Sequence, residues 1–168
     1  YLEQLRQRAF DAVIFTSRGV PLSELARDDA HTKIGRIVCC EDPGDLPLSA
    51  AFTERNSTYE TAFEWIKGHG YKRIGMLLSR EYALSATSQA MIEAYKDVFH
   101  ELPRPELVRT SVVNNQDGYD SAQYYIDNDL RPDFIFGNGD DIVANARQCY
   151  LDHGLAVPGL MGQEHQLS

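Results

Sequence analysis

Residues 59–78 read Tyr59-Glu-Thr-Ala-Phe-Glu-Trp-Ile-Lys-Gly-His-Gly-Tyr-Lys-Arg-Ile-Gly-Met-Leu-Leu78, and two periodicities meet inside them. Tyr59, Ala62, Phe63 and Ile66 fall at i, i+3, i+4 and i+7, the spacing of one apolar stripe on an α-helix. Ser57 and Glu60, three apart at the start of that stripe, have the pattern of a capping box. Gly68 and Gly70 supply the stop, since glycine closes a helix without steric cost. Residues 73–78 are then almost continuously apolar, as in a strand covered on both faces of a parallel sheet. A helix passing through Gly-His-Gly into a buried strand is an α/β unit.

The same alternation extends both ways from this segment. Ala12–Phe15, residues 34–40, a weaker run at 107–113 and residues 133–136 are further apolar runs, each followed by polar or glycine-containing turns. Met91, Ala94, Tyr95 and Val98 make a second helical stripe, ended by Pro103. Tyr119, Ala122, Tyr125 and Ile126 make a third, stopped before Arg131-Pro132. Ile142, Ala146, Cys149 and Tyr150 make a fourth, ended by Gly154 with Pro158 beyond. Strand and helix in regular exchange predict an α/β chain with mostly parallel sheets. The rhythm breaks between Cys40 and Ser57. There Ser49-Ala-Ala-Phe-Thr53 is expected to be a small strand passing from one sheet to another, with a lobe boundary near Phe52. Residues 2–8 have a helical pattern that begins in mid-helix, so the chain is expected to be a fragment of a longer protein.

The composition is that of a globular protein: 168 residues, 43% hydrophobic, 10% aromatic and 24% charged. A net charge of −9 repels phosphate backbones, which disfavours nucleic-acid or anionic-membrane binding by this stretch itself. No 18-residue window is free of charge, so no membrane span is expected. Cys39, Cys40 and Cys149 are odd in number and lack CxxC spacing, which points to buried thiols in a reducing cytoplasm rather than disulfides or zinc. No signal segment opens the chain.

In doubly wound sheets ligands bind outside the carboxyl ends of the strands. That directs attention to the loops at 16–18, 41–44, 79–87, 114–118 and 137–141, rich in groups able to orient a polyhydroxylated molecule. Turns and helix caps would make the same loops polar without any ligand. Gly137-Asn-Gly-Asp-Asp141 lacks the GxGxxG and GxxxxGK[ST] spacings, and its carboxylates would repel phosphate, so Asp140 or Asp141 is better read as a cap. His69 and His153 stand beside helix-closing glycines and suit capping. The pairs Asp28/Asp29 and Asp127/Asp129 read as solvated connectors. No metal-ligating histidine pair and no GxSxG elbow occurs, and neither an enzyme nor a cofactor is called for.

Four segments, in order, resemble the effector-binding core of lactose-repressor-type (LacI/GalR) transcriptional regulators. They are Phe10-Asp-Ala-Val-Ile-Phe15, the Ala62 to Leu78 stretch with its Gly-His-Gly-Tyr and Ile-Gly, residues 133–144 with Gly-Asn-Gly-Asp-Asp, and His153-Gly-Leu-Ala-Val-Pro158. The resemblance implies a type I periplasmic-binding-protein fold: two doubly wound lobes joined by crossing strands. On it, residues 1–52 form the latter part of an incomplete first lobe and residues 53–162 the second. Residues 163–168 then begin the crossover back. By position it also implies effector contacts at Ser85, Thr87, Asn114, Asp140 and Glu164. N-capping competes as a reading for Ser85 and Thr87, and for Asp140. Met91 stands where the family often places a sugar-gripping arginine, and Gly139 where it places an asparagine. Met91 is most simply core, and the exchange implies a less anionic effector or weakened sensing. About three residues are missing near Gly159 relative to the family.

The resulting expectation is a cytoplasmic, homodimeric regulator, a repressor, that senses a sugar or sugar derivative. Operator DNA would be read by a helix-turn-helix outside this chain. The alternative is a periplasmic sugar-binding protein of a transporter, and an enzyme on a doubly wound sheet is a more distant third.

Overall fold

The structure, a computed structural model, describes residues 10–16, 21–29, 35–39, 43–51, 55–82 and 85–163. The helix expected at residues 2–8, the boundary at Phe52, Cys40 and most of 163–168 lie outside these. The chain divides into two compact units, Tyr1–Glu54 and Arg55–Ser168.

In the first unit, β1 (Ala12–Phe15), α1 (Leu22–Asp29), β2 (Gly35–Val38) and β3 (Ser49–Ala50) build a parallel sheet in the order β1-β2-β3. β1 and β2 run in register from Ala12↔Gly35 to Phe15↔Val38. Phe15, Val38 and Leu25 form a small core, flanked by Val13, Leu22 and Leu48. Buried Arg36 reaches α1, its Nη1 donating to the Leu25 carbonyl at 2.8 Å. The small strand expected at 49–53 forms at Ser49–Ala50, a parallel edge strand on β2, and its path from residue 52 lies outside the described residues. Two expectations are corrected here. Asp28 and Asp29 close α1 instead of lying in a connector. Cys39 is exposed, because it follows Gly35 and Ile37 on the outward side of β2's alternation, whereas Cys149 is buried as expected.

The second unit holds α2 (Asn56–Gly68), β4 (Ile74–Leu77), α3 (Ala86–Phe99), β5 (Val108–Arg109), α4 (Asn115–Asp127), β6 (Phe134–Gly137), α5 (Asp140–Asp152) and β7 (Gly159–Met161). The sheet order is β5-β4-β6-β7, every pairing parallel. Every residue of β4 and β6 is buried, as their continuous apolar runs require. Alternate side chains serve two cores. Ile74, Met76, Phe134 and Phe136 meet α2 and α3 through Tyr59, Phe63, Ile66, Met91, Ala94 and Tyr95. Leu77 and Ile135 meet α4 and α5 through Ala122, Tyr125, Ala146 and Cys149. Phe63 makes edge contacts with Tyr95, Phe99 and Phe136, with centroids 5.3–6.1 Å apart. Tyr125 fills the space beside Gly75 and donates its hydroxyl to the Leu107 carbonyl at 2.7 Å. At Gly118 a Cβ would strike the Ile142 backbone, so α4 and α5 approach as closely as they do only because that residue is glycine.

Local details depart from expectation for identifiable reasons. α2 starts at Asn56 with Arg55 as N-cap and no side-chain cap bond, so Ser57 lies inside the first turn and the Ser57–Glu60 box is not formed. The stop does form: Gly70 takes φ +87°, and His69 Nδ1 lies 2.7 Å from the Trp65 carbonyl. His153 closes α5 similarly, 2.8 Å from the Cys149 carbonyl. The run at 107–113 yields only two strand residues. A 3-10 turn at Pro105–Leu107 precedes them, and Ser111 in the left-handed region (φ 62°) breaks the ladder after them. β7 pairs Gly159, Leu160 and Met161 with Phe134, Ile135 and Phe136, so the short passage after Pro158 suffices for a strand.

Candidate functional site

The carboxyl ends of β4, β6 and β7 deliver Ser79, Asn138 and Gln163 to one side of the second unit's sheet. They line a cavity of about 380 Å³ with Val112 and Val113 from beyond β5. Helix starts complete it: Arg55 at the head of α2, Thr87 in the first turn of α3, and Gly139, Asp141 and Ile142 at the head of α5. In a parallel sheet every strand ends, and every following helix begins, at this edge, so polar side chains and helix N-termini converge there.

The lining is ordered by hydrogen bonds. Asn138 Nδ2 donates to Ser79 Oγ at 3.3 Å, and its backbone N–H donates to the Leu77 carbonyl. Asn138 Oδ1 is buried and has no hydrogen-bond partner. Leaving a buried acceptor unsatisfied costs about 1–3 kcal/mol. Across the cavity the Tyr59 hydroxyl donates to Gln163 Oε1 at 2.7 Å. Burial pushes the Tyr59 hydroxyl up to about 12, an effect softened by the nearby Arg55 charge and by the bond to Gln163, so the phenol stays a neutral donor. Asp141 Oδ1 accepts from the Ile142 N–H at 2.9 Å. Among the described residues of the lining Arg55 and Asp141 are the ionisable ones, and none is a histidine or cysteine. Such a wall can bind and orient a polar molecule. Among the described residues no group of three His, Cys, Asp or Glu could hold a metal, and no helix is long and apolar enough to cross a membrane.

The expected site residues fall in different places. Thr87 lines the cavity. Ser85 is the N-cap of α3, its Oγ accepting from the Ser88 N–H at 3.3 Å. Asn114 caps α4 in a reciprocal box with Asp117. Asp140 opens α5 behind Gly139, which is the actual N-cap. The capping expected of this pair falls to Asp141, whose Oδ1 takes the first-turn Ile142 N–H from inside the helix. Asp140 packs against Gly162, where any Cβ would collide with it. Glu164 lies outside the described residues. Met91 is completely buried in the α2/α3 core and faces no ligand space. Sequence reasoning missed Arg55, Ser79, Asn138 and Gln163. Ser79 and Asn138 sit in loops that the strand-end rule had marked, and a count of one or two residues past each strand would have found them. Gln163 needed β7, a three-residue strand without a clear pattern.

A parallel sheet between two helix pairs, with a polar cavity at its carboxyl edge, defines an α/β ligand-binding lobe. Residues 1–164 match the family described as periplasmic binding proteins and the sugar binding domain of the LacI family, and the chain belongs to that family. It is 28% identical over 144 residues to catabolite control protein B of Bacillus subtilis, a match that covers 86% of this chain and 45% of that protein. The chain thus spans less than half the length of that relative. Among solved structures it resembles a sugar-binding LacI-family regulator from Escherichia coli complexed with phosphate, with TM-score 0.79 at 18% identity. That alignment covers 98% of this chain and 60% of the other. A LacI-family regulator from Lactobacillus casei with bound glucose gives TM-score 0.76 at 19% identity, covering 98% and 64%. At these identities the structures speak to fold.

Proposed function

We propose that the chain is the larger part of the effector-sensing core of a LacI-type transcriptional repressor. A sugar or sugar derivative is held at the carboxyl edge of the second unit's sheet. Its binding favours one arrangement of the two lobes, and this changes how a homodimer presents operator-reading domains that lie outside this chain. The protein acts in the cytoplasm. The observation that carries this reading is the polar cavity at the carboxyl edge of the sheet, in a chain whose residues 1–164 match a family of periplasmic binding proteins and LacI-family sugar binding domains. The relative from Bacillus subtilis is a control protein by name, which supports this reading over a transporter's binding protein and over an enzyme.

Thermal unfolding against mono- and disaccharides, sugar phosphates, polyols and nucleosides tests it. A ligand at ~100 times its Kd stabilises the native state by ~2.7 kcal/mol. The same ligand must also change operator affinity of the intact protein in a gel-shift titration. Silence in both assays from a cooperatively folded protein would refute the sensor reading.

A further inference from the structure

Asn138 is followed by Gly139, and no other asparagine in the chain precedes a glycine. An asparagine side chain is open to attack by the backbone nitrogen of the next residue. Glycine, with no Cβ, obstructs that approach least. The pair lies in the turn between β6 and α5, on the cavity wall. Three local features expose it to this chemistry. First, the Gly139 N–H has no acceptor among the described residues, although the Asn138 N–H donates to Leu77 and the Gly139 carbonyl accepts from Val143. Second, the Asn138 amide is lightly held, by one 3.3 Å bond from Nδ2 to Ser79 Oγ, with Oδ1 unpaired. Third, a carboxylate stands alongside: a Cβ built on Gly139 would lie 2.9 Å from Asp141 Oδ1. That oxygen accepts from the Ile142 N–H, which leaves the second carboxylate oxygen to take a proton.

We infer that Asn138 is a self-modification site, at which the cavity wall converts from amide to carboxylate with Asp141 as the proton carrier. The Gly139 nitrogen bonds to Asn138 Cγ while its proton passes to Asp141. The Cγ–Nδ2 bond then breaks, Asp141 returns the proton, and Nδ2 leaves as ammonia. A succinimide ring remains. Water, for which the cavity of about 380 Å³ has ample room, opens the ring at either carbonyl. The products are aspartate or isoaspartate at position 138. One water is consumed, one ammonia is released, and nothing is oxidised or reduced. Either product sets a second carboxylate beside Asp141 where a neutral amide stood, and it removes the donor that holds Ser79. Isoaspartate also lengthens the backbone of the turn that leads into α5. The chemistry is independent of which molecule the cavity binds.

The test is peptide mass analysis of the intact, folded protein held in mildly alkaline buffer. The mass gain of an amide-to-acid exchange is expected at Asn138 at least ten-fold faster than at Asn114, Asn128 or Asn145. Isoaspartate, the mark of the ring, is expected in the product. Asp141→Asn, which can still accept from the Ile142 N–H, is expected to slow the conversion several-fold at an unchanged unfolding temperature. Gly139→Ala is expected to suppress it. An Asn138 that stays intact in the folded protein and converts only in urea would overturn the inference, because the fold would then protect the amide. Aspartate without isoaspartate would overturn the ring, and equal rates in wild type and Asp141→Asn would overturn the role of Asp141.

Discussion

The two parallel sheets of this chain are clothed to different degrees. In the second unit β4 and β6 are buried at every position, because the segment from Arg55 onward supplies a helix pair to each face. In the first unit β1 and β2 alternate, with the register pair Phe15 and Val38 packing on Leu25 while the preceding pair, Ile14 and Ile37, remain 60% and 36% exposed. Among the described residues α1 is the helix that covers this sheet, on one face. Parallel sheets are ordinarily covered on both. Stability should therefore be concentrated in the second unit, which also carries the cavity.

The largest expected effect probes the second unit's core. Met91→Arg would place an unpaired guanidinium in a completely buried position, and should cost at least about 3–5 kcal/mol in denaturant unfolding. A protein that tolerates it, and gains ligand affinity, would show that Met91 borders ligand space after all. Next, Phe63→Ala removes a ring packed against three others and should cost about 3–5 kcal/mol. Asn114→Ala should lose about 1 kcal/mol through its cap on α4, with effector affinity unaltered. A selective loss of affinity instead would move Asn114 into the site. Ile14→Ala should change stability by less than about 0.5 kcal/mol. A cost resembling that of Phe63 would mean that the outer face of the first sheet is covered in solution.

Titration separates the two units without mutation. Every described tyrosine belongs to the second, and burial pushes Tyr59, Tyr95 and Tyr150 up to about 12 and Tyr125 higher still. The folded state holds these protons more tightly than an unfolded chain with the usual tyrosine pKa near 10. Their contribution is whole below about pH 10 and is lost as pH rises toward about 12. Unfolding followed by tyrosine absorbance should be level from neutral pH to about 10 and shift steeply downward above it.

The fold was legible wherever periodicity was strong. The stripes through Tyr59, Met91, Ala122 and Ala146 became buried helix faces, and Ile74–Leu77 and Phe134–Gly137 became central strands, because long apolar patterns report burial directly. Short elements were not legible. β7 is three half-buried residues, and the run at 107–113 looked like a strand until the left-handed Ser111 cut it to two residues. The site was legible as a set of loops and not as a set of side chains. Ser85 and Asn114 carry ligand-like chemistry that their own helices consume as caps. Ser79, Asn138 and Gln163 become neighbours only through the β4-β6-β7 pairing, 83 residues of chain lying between the first and the last. Arg55 carries no local signal, since the box predicted at Ser57 and Glu60 drew the helix start two residues too late.

The central claim is that effector binding resides in the cavity at the carboxyl edge of the second sheet. It is tested most directly by titrating the best-stabilising sugar from the thermal panel into the Asn138→Ala and Ser85→Ala variants of the intact protein. The account predicts that Asn138→Ala lowers affinity at least ten-fold without lowering the unfolding temperature, and that Ser85→Ala costs stability without affecting affinity. Undiminished binding by Asn138→Ala would contradict it and place the effector elsewhere on the molecule.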